Sequence, residues 1–408
     1  MNISLKYTWI SRVLLLLFVL YVHVLSYILN NRMIELGLLA LALIAQLAED
    51  RLYLHGRTYL WLLAFAFASL VISFFVAVDV NVALTYIFVF LEYVGVFYLV
   101  HRYSMMDGNV RVSALIFVFV AVAMALMNLA FNVGGERMTF SENLNVNTVG
   151  VVCMFGIAYL LYLLIGMKKN PFFVVLVVLL VTLLAFVVVK TVSKKAMIAA
   201  GVLIAFWLLF CYRQAFGKQN VLLRILLFVG LIVGMVLAYR WFLRTEAESA
   251  EYISYRFGQM EIEGETSAEM RYKLIILGFQ TFLDHPIIGV GLNNFQFHNE
   301  YHSYTHCFYA ELFSCTGIVG AFLLGMPIVR SLAHYIRALL KKKQLTGVAR
   351  TETWYMLAMF LTLLVLMWTQ ILFYELQLMY AFAILTAYIE TLDERYKAPA
   401  RPLSPQPA

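Results

Sequence analysis

Long apolar runs constrain this chain more than any other feature of its sequence. Stretches of about 20 apolar residues recur along it, and each is long enough to cross a bilayer as a helix. Hydrophobic residues make up 63% of the 408 and charged residues only 13%, with a mean hydropathy of +0.85. A soluble core could not bury so much apolar surface. Alternating strands typical of a transmembrane barrel are absent from the pattern. The sequence therefore predicts an all-α polytopic membrane protein.

Twelve candidate membrane spans can be placed on these runs. The first has no small-residue cleavage pattern after it, so we interpret it as a retained span and not as a signal peptide. The second is short and the last two are almost contiguous, so ten or eleven spans remain open. The predicted spans are 9–29, 33–48, 60–78, 81–101, 112–132, 146–166, 171–190, 196–213, 221–241, 308–330, 354–372 and 373–391.

Basic residues orient these spans. The net charge of +7 does not indicate nucleic-acid binding, because the cations lie between spans and not on one soluble face. Most of the 30 lysines and arginines fall on one side when the N-terminus is placed in the cytoplasm, as the positive-inside rule requires. We therefore expect both termini in the cytoplasm. The expected organisation is nine spans over 1–241, an outer loop domain over 242–307, three spans over 308–391 and a disordered Pro-rich tail over 392–408.

The last part of the outer insert belongs to the stretch 270–320, which holds four of the eight histidines. Apolar residues at helical spacing predict an interfacial helix over 267–283, which His285-Pro286 would end. Gly289 and Gly291 then allow a tight turn. Asn293 and Asn294 follow as neutral hydrogen-bonding side chains suited to a hydroxyl-rich ligand. Ionisable groups concentrated in one polar insert predict that the chemistry takes place there.

Several lysines and arginines lie on the outer side of the membrane, where the predicted topology disfavours them. Cations kept near the outer bilayer surface usually hold an anion. Lipid phosphates or local carboxylates would also satisfy them. Because three separate segments show this feature, we favour a bound phosphorylated ligand. The cations concerned are Arg137, Lys190, Lys194, Lys195 and, in the insert, Arg240, Arg244, Arg256, Arg271 and Lys273.

Other site types have weaker support. His298, His302 and His306 are spaced by four, so a helix would place them on one face, but no Glu follows the first histidine as a zinc protease requires. The four cysteines form no CxxC pair, and neither a GxSxG nucleophile motif nor a P-loop is present. We expect no metal and no cofactor. A metal-free transfer fits better, with cations offsetting the charge of a leaving diphosphate and a histidine taking a proton from an acceptor hydroxyl.

Three motifs, in order, resemble the O-antigen ligase and O-antigen polymerase family of bacterial glycan transferases. The stretches are RMTFSENLNVNTVG, TVSKKAMIAAG and the pair HPIIGVGLNNF and THCFYAELFSCTGIVG. Two positions depart from the family pattern, since Lys194 stands where an arginine is usual and Cys307 where an asparagine is usual. The matched turn and helix positions are Pro286, Gly289, Gly291, His306, Glu311, Gly317 and Gly320.

The resemblance implies a GT-C-like membrane enzyme that uses an undecaprenyl-diphosphate-linked glycan as donor. It implies His306 and Arg271 as the catalytic residues, with His306 as general base or acceptor-orienting group. Without the resemblance, His306 would be interpreted as a hydrogen-bonded helix-start residue. The diphosphate and glycan would be bound by Arg137, Lys194, Lys195, Asn145, Asn147, Asn293, Asn294 and Glu311.

The remaining alternative functions differ in the molecule that accepts the transferred glycan. A polymerase would use another lipid-linked glycan, and a ligase would use the lipid A core oligosaccharide. The THCFYAEL form is closer to polymerases, so we expect a polymerase of the bacterial inner membrane, active on the periplasmic face. A transporter or flippase of lipid-linked sugars is a third hypothesis, but intramembrane charges are few, with Glu92 and Glu375 the main ones.

Overall fold

The computed structural model describes residues 4–49, 57–131, 139–141, 144–166, 171–212, 214, 267–340, 345 and 347–397. Within these ranges the chain is helical and contains no strand. The helices are α1 (Ser4–Leu20), α2 (Ser26–Leu29), α3 (Arg32–Glu49), α4 (Arg57–Val76), α5 (Val80–Asp107), α6 (Arg111–Ala130), α7 (Val146–Gly166), α8 (Pro171–Lys190), α9 (Lys194–Phe206), α10 (Ser267–Asp284), α11 (Phe308–Leu340), α12 (Gly347–Leu366) and α13 (Leu376–Lys397). A π-helical turn, Tyr21–Leu25, joins α1 to α2, and another, Trp207–Cys211, extends α9.

Eight helical segments in the described part of the chain are long and apolar enough to cross a membrane. The prediction of a polytopic all-α membrane protein is confirmed, while the count of twelve spans stays a prediction. The predicted bounds of α7 and α8 agree with the structure. The predicted span 221–241 lies outside the described residues.

The helix α7 lies at the centre of the bundle. Its residues are apolar on all faces, and nearly all of them are buried. A helix that is apolar all round has no face suited to water, so it packs inside other helices or faces lipid. Helices α6, α8, α9 and α12 pack around it. By contrast, α8 leaves many Val and Leu side chains exposed, among them Val175, Val178 and Leu179, as expected of a lipid-facing helix.

The two ends of the bundle differ in their polar contacts. One end carries ion pairs that tie neighbouring helices together: Arg12–Asp107 (2.6 Å), His101–Glu390 (2.7 Å), His334–Asp393 (2.9 Å) and Arg111–Glu352 (3.4 Å). The other end gathers the starts of α5, α7, α9, α11 and α13 together with the segment 285–307. All candidate site residues that the structure describes belong to this second end, which we call the site end.

The helices α11 and α12 differ in length from the spans that the apolar pattern predicts. α11 continues to Leu340, past the expected limit at residue 330, because its last turns bury Ser331 and Tyr335 against α13. α12 ends at Leu366, and residues 367–375 form turns before α13 begins. Glu375 therefore lies in a turn at the site end, and the expectation of a mid-span charge is wrong for it.

Candidate active site

The glycine motifs at 286–291 and 317–320 form one interlocked unit. Gly317 has φ 59° and ψ −159°, which interrupts the helical geometry of α11 directly after Thr316. At this break Ile318 N donates to the Pro286 carbonyl (2.9 Å). A Cβ on Gly317 would come within 2.4 Å of the Ile287 carbonyl carbon. Because Gly317 is in the left-handed region and in backbone contact, only glycine fits there.

The Pro-Gly turn makes the matching contact from its own side. Gly289 has φ 67°, and a Cβ there would lie 2.5 Å from the Cys315 carbonyl carbon. Val290 N donates to the Ser314 carbonyl and Gly291 N to the Cys315 carbonyl, at 3.0 and 2.9 Å. The turn therefore replaces the hydrogen bonds that α11 loses at its break. The sequence indicated a turn at these glycines but not that the two motifs pack on each other.

The chain after this turn is fixed to the start of α5. Asn294 Oδ1 accepts from Asp79 N (2.8 Å), and Asn294 Nδ2 donates to the carbonyls of Asp79 and Leu292, both at 3.1 Å. Asn294 is fully buried and its amide is fully used. The expectation that Asn294 contacts a glycan is therefore corrected, since its amide anchors the loop instead. Asn293 is also buried, has φ 54° and hydrogen-bonds Tyr86.

The histidine-rich segment is not a helix. Only Phe295–His298 forms a short 3-10 turn, and Asn299 then organises the loop by donating to the carbonyls of Phe295 (2.8 Å) and Ser303 (2.9 Å). His302 and His306 both have positive φ, 47° and 57°. The helical face that would unite His298, His302 and His306 does not exist. Among the described residues, no group of three or more His, Cys, Asp or Glu side chains could hold a metal ion.

Glu311 holds the residues on either side of His306. Its carboxylate is fully buried and accepts from Thr305 N (2.8 Å) and Tyr374 Oη (3.2 Å). Thr305 Oγ1 in turn accepts from Cys307 N (3.2 Å). The expectation that Glu311 contacts substrate is not supported by this burial; the carboxylate instead fixes the backbone that carries His306.

His306 is partly buried beside an aromatic ring and two cations. The ring centroids of His306 and Tyr304 are 4.1 Å apart. Burial, followed by the charges of Arg271 and Lys195, lowers the pKa of His306 to about 4. The imidazole is therefore neutral at pH 7 and can accept a hydrogen bond. Arg271 comes from α10 and Lys195 from the start of α9, so the fold unites residues from three separate segments.

Lys195 links the start of α9 to the turn after α12. Its ammonium donates to the Thr369 carbonyl at 3.2 Å. Lys194 precedes it as the first residue of α9. The same end of α9 contacts α7, because Ser193 Oγ donates to Asn147 Oδ1 (3.0 Å).

The two asparagines of the motif at 137–147 differ in position. Asn145 Oδ1 accepts from Asn147 N (2.9 Å) at the start of α7, and Asn145 is exposed. Asn147 is committed to Ser193. Asn145 is therefore the more exposed of the two asparagines, and Asn147 is only partly exposed. Arg137 lies outside the described residues.

One site residue was not recognised from the sequence. Glu375 lies in the turn between α12 and α13, and its Oε2 accepts hydrogen bonds from Gln370 Nε2 (2.7 Å) and Gln377 Nε2. Burial raises the pKa of Glu375 to about 7, and the Lys195 charge opposes that rise. The signal available in the sequence was an acidic residue flanked by two glutamines between apolar runs.

An apolar groove leads away from this cluster between α9 and α12. Its volume is about 540 Å³, and Lys195 and Thr369 lie at its polar end. The remaining lining is almost entirely apolar and includes Ile198, Val202 and Leu361. A cation at one end of an apolar groove suits a ligand with an anionic head and a hydrocarbon tail.

Comparison with known proteins agrees with this geometry. A family model described as O-antigen ligase matches residues 179–325, from the middle of α8 to the middle of α11. No curated protein matches the chain. The matched region contains Lys194, Lys195, Arg271, both glycine motifs and His306. The match confirms the resemblance identified in the sequence and indicates glycan transfer of the O-antigen ligase type in a multi-pass membrane protein.

Proposed function

We propose that this protein transfers a glycan from an undecaprenyl-diphosphate donor to an acceptor hydroxyl at the site end of the bundle. The observation that carries the proposal is that the charges of Arg271 and Lys195 both act on His306, while Lys195 also lines the polar end of the α9–α12 groove. The O-antigen ligase match supports the reaction class. The groove supports a donor with a long hydrocarbon tail.

The proposed reaction displaces a diphosphate from the anomeric carbon of the donor sugar. The acceptor oxygen forms a new bond to that carbon, the bond from the carbon to the phosphate oxygen breaks, and its electron pair leaves with the diphosphate. Arg271 and Lys195 offset the negative charge that develops on the leaving group, as preorganised cations do in other transfer reactions. Lys194 and Arg137 are proposed as further contacts to the diphosphate.

His306 is proposed to position the acceptor. The ring N–H of its neutral imidazole donates to a lone pair of the attacking oxygen and aligns that oxygen with the anomeric carbon, which leaves the hydroxyl proton free to be transferred. The Arg271 and Lys195 charges that keep His306 neutral also attract the donor diphosphate. We propose that the reaction needs no metal, because these two cations supply the charge compensation that a divalent ion supplies elsewhere.

We propose a polymerase, whose acceptor is a second lipid-linked glycan, acting on the periplasmic face of a bacterial inner membrane. The second candidate is a ligase that transfers the glycan to the lipid A core, and the description of the matching family favours it. A flippase is disfavoured because the described ionisable groups of the site lie at one end of the bundle. Within the bundle, Glu92 is paired with Arg32.

The decisive experiment compares two histidines with similar backbone conformations. His306→Asn and His302→Asn each place asparagine, which tolerates positive φ, at a left-handed position. Purified protein receives an undecaprenyl-diphosphate oligosaccharide, and both free undecaprenyl diphosphate and extended glycan are measured. We expect His306→Asn to lose about 100-fold or more in rate and His302→Asn to retain wild-type activity. Wild-type protein that releases no undecaprenyl diphosphate with any acceptor would refute the proposed function.

The acceptor and the metal requirement are tested in the same assay. Lipid-linked glycan and lipid A core oligosaccharide are offered separately and then in competition. Extension of the lipid-linked glycan supports the polymerase, and transfer only to the core supports the ligase. We expect EDTA to leave the rate unchanged; a loss that added divalent ion restores would contradict the metal-free reaction.

A further inference from the structure

Among the described carboxylates of the site, Glu375 is the one that is neither held by a complete hydrogen-bond network nor assigned a role by the proposed reaction. Both glutamine amides, from Gln370 and Gln377, bind its Oε2 atom. The Ile371 backbone N–H also hydrogen-bonds this carboxylate. The two oxygens of a carboxylate offer about four acceptor positions, so one remains after these three donors.

The turn that carries Glu375 is attached to the site at two points. Thr369, six residues before Glu375, accepts the hydrogen bond from the Lys195 ammonium. Tyr374, the preceding residue, donates to Glu311, the carboxylate that fixes the His306 loop. Tyr374 also packs on Tyr86 with ring centroids 4.6 Å apart. These contacts place the turn against both the cation and the histidine loop.

Glu375 also shares its electrostatic environment with the site. Its charge interacts with Lys195 of α9 and with Tyr304, whose ring contacts that of His306. The other titratable groups facing it are tyrosines from α2 and α5, Tyr27 and Tyr93. Among the described residues, Lys195 is therefore the cation whose charge acts on the Glu375 carboxylate.

We propose that Glu375 is the general base of the transfer and takes the proton from the acceptor hydroxyl that His306 orients. In this step the acceptor O–H bond breaks and its proton moves to the Glu375 carboxylate as the new glycosidic bond forms. The carboxylate becomes neutral while the diphosphate leaves with the electron pair of the broken bond. This inference rests on the proposed function and identifies the group that its proton transfer requires.

The protonation behaviour of the two groups supports this division of roles. A base works best when its pKa is near the working pH. The pKa of His306 is lowered to about 4, so a proton on its imidazole is unfavourable beside Arg271 and Lys195. The pKa of Glu375 is raised to about 7, so its carboxylate is ionised in part at pH 7 and holds a proton well once it has received one. His306 is thus suited to orient the hydroxyl, and Glu375 to accept its proton.

The test uses Glu375→Gln and Glu375→Asp in purified protein, with Glu300→Gln as the matched control. Glu300 is an exposed carboxylate in the loop before His306. Glutamine keeps the shape of Glu375 and removes its basicity, whereas aspartate keeps the basicity and moves it. We expect the rate of Glu375→Gln to fall about 100-fold with the donor KM nearly unchanged. We expect Glu375→Asp to keep part of the rate and Glu300→Gln all of it.

The pH–rate profile separates a base from a structural residue. Wild-type kcat is expected to fall below pH 7 as Glu375 becomes protonated, and this acid limb is expected to disappear in Glu375→Gln. An acid limb that survives in Glu375→Gln but disappears in His306→Asn would assign the base to His306 and overturn the inference. A wild-type pH–rate profile with no acid limb near pH 7 would also overturn the inference. This measurement does not depend on the folding of any variant.

The outcomes for this inference and for the proposed function are distinct. If the wild-type protein transfers glycan and Glu375→Gln is equally active, only the role of Glu375 fails. If the wild-type protein transfers no glycan, the proposed function itself fails. Binding of the undecaprenyl-diphosphate donor to Glu375→Gln, measured directly, is expected to equal wild-type binding; a lost affinity would assign Glu375 to donor binding and overturn the inference.

Discussion

Left-handed backbone conformations are concentrated at the site end of the molecule. Asn293, Val192, His302 and His306 all have φ between 47° and 57°. Such a conformation costs a non-glycine residue about 1 kcal/mol or more. Surrounding contacts must therefore hold it in place, and for His306 they come from Thr305 and Glu311. A residue that adopts this strain next to two cations is held in a fixed orientation before any ligand binds.

We expect Glu311 to affect activity indirectly, because it fixes the backbone that orients His306. Glu311→Ala removes the acceptor for Thr305 N and Tyr374 Oη, at a cost of about 1–3 kcal/mol for each buried donor left without a partner. We predict a lower melting temperature in detergent and a strong loss of transfer. Glu311→Gln keeps an acceptor oxygen and should lose less of both. Exposed Glu300→Ala is the control, and equal stability of Glu300→Ala and Glu311→Ala would contradict the role of Glu311.

The lowered pKa of His306 makes stability depend on pH in a defined direction. The unfolded chain protonates this histidine below its ordinary pKa of about 6.5, whereas the folded protein does so only near 4. Its contribution to stability is therefore complete above pH 6.5 and is lost as the pH falls from 6.5 towards 4. We predict that wild-type protein loses more melting temperature across this range than His306→Asn. Parallel curves for the two proteins would show that His306 is not desolvated beside Arg271 and Lys195.

At the scale of elements, the break in α11 and the turn at 286–291 depend on each other. α11 supplies the carbonyls of Ser314 and Cys315, and the turn supplies the amides that they accept. His306 lies between the two elements along the chain, in the loop that ends at the start of α11. A disturbed interface between turn and helix should therefore move the histidine loop without touching any charged residue.

Gly289 and Gly325 offer a matched test of this coupling. Gly289→Ala forces a side chain into a left-handed position, at a cost of about 1–2 kcal/mol, and brings it to 2.5 Å from the α11 backbone. Gly325 lies later in α11, where a Cβ would meet no other atom within 4 Å, and alanine favours a helix by about 1 kcal/mol over glycine. We predict lower stability and activity for Gly289→Ala and neither loss for Gly325→Ala. Wild-type behaviour of Gly289→Ala would contradict the interlocking of turn and helix.

At the scale of the whole molecule, the sequence predicts helices better than it predicts how they meet. Apolar length is a local property, so the bounds of α7 and α8 follow from their own residues. The loop at 299–307 escaped prediction because the side chain of Asn299 competes with helical hydrogen bonds. Glu375 escaped because its neighbours Lys195 and Tyr304 are distant in the sequence. The family motifs supplied His306 and Arg271, and only the fold showed how Lys195 and Glu375 join them.

The α9–α12 groove runs from Lys195 between two largely apolar helix faces, and its size gives the last prediction. Val202 lines the groove and is 56% exposed, while Val178 on α8 is 55% exposed and lies outside it. Val202→Trp should fill part of the 540 Å³ and exclude a hydrocarbon tail. The same substitution at Val178 adds an equal side chain to a lipid-facing surface. Both variants should fold, because neither position is buried.

Donors of different tail length distinguish tail binding from a general defect. We expect Val202→Trp to raise the KM for an undecaprenyl-diphosphate donor about tenfold, which corresponds to about 1.4 kcal/mol of lost binding. A donor with a short prenyl chain does not reach the blocked part of the groove, so its KM should be unchanged. Val178→Trp should match wild type with both donors. An equal rise in KM for long and short donors would show that the donor's hydrocarbon tail binds elsewhere. The groove would then be a binding site for structural lipid.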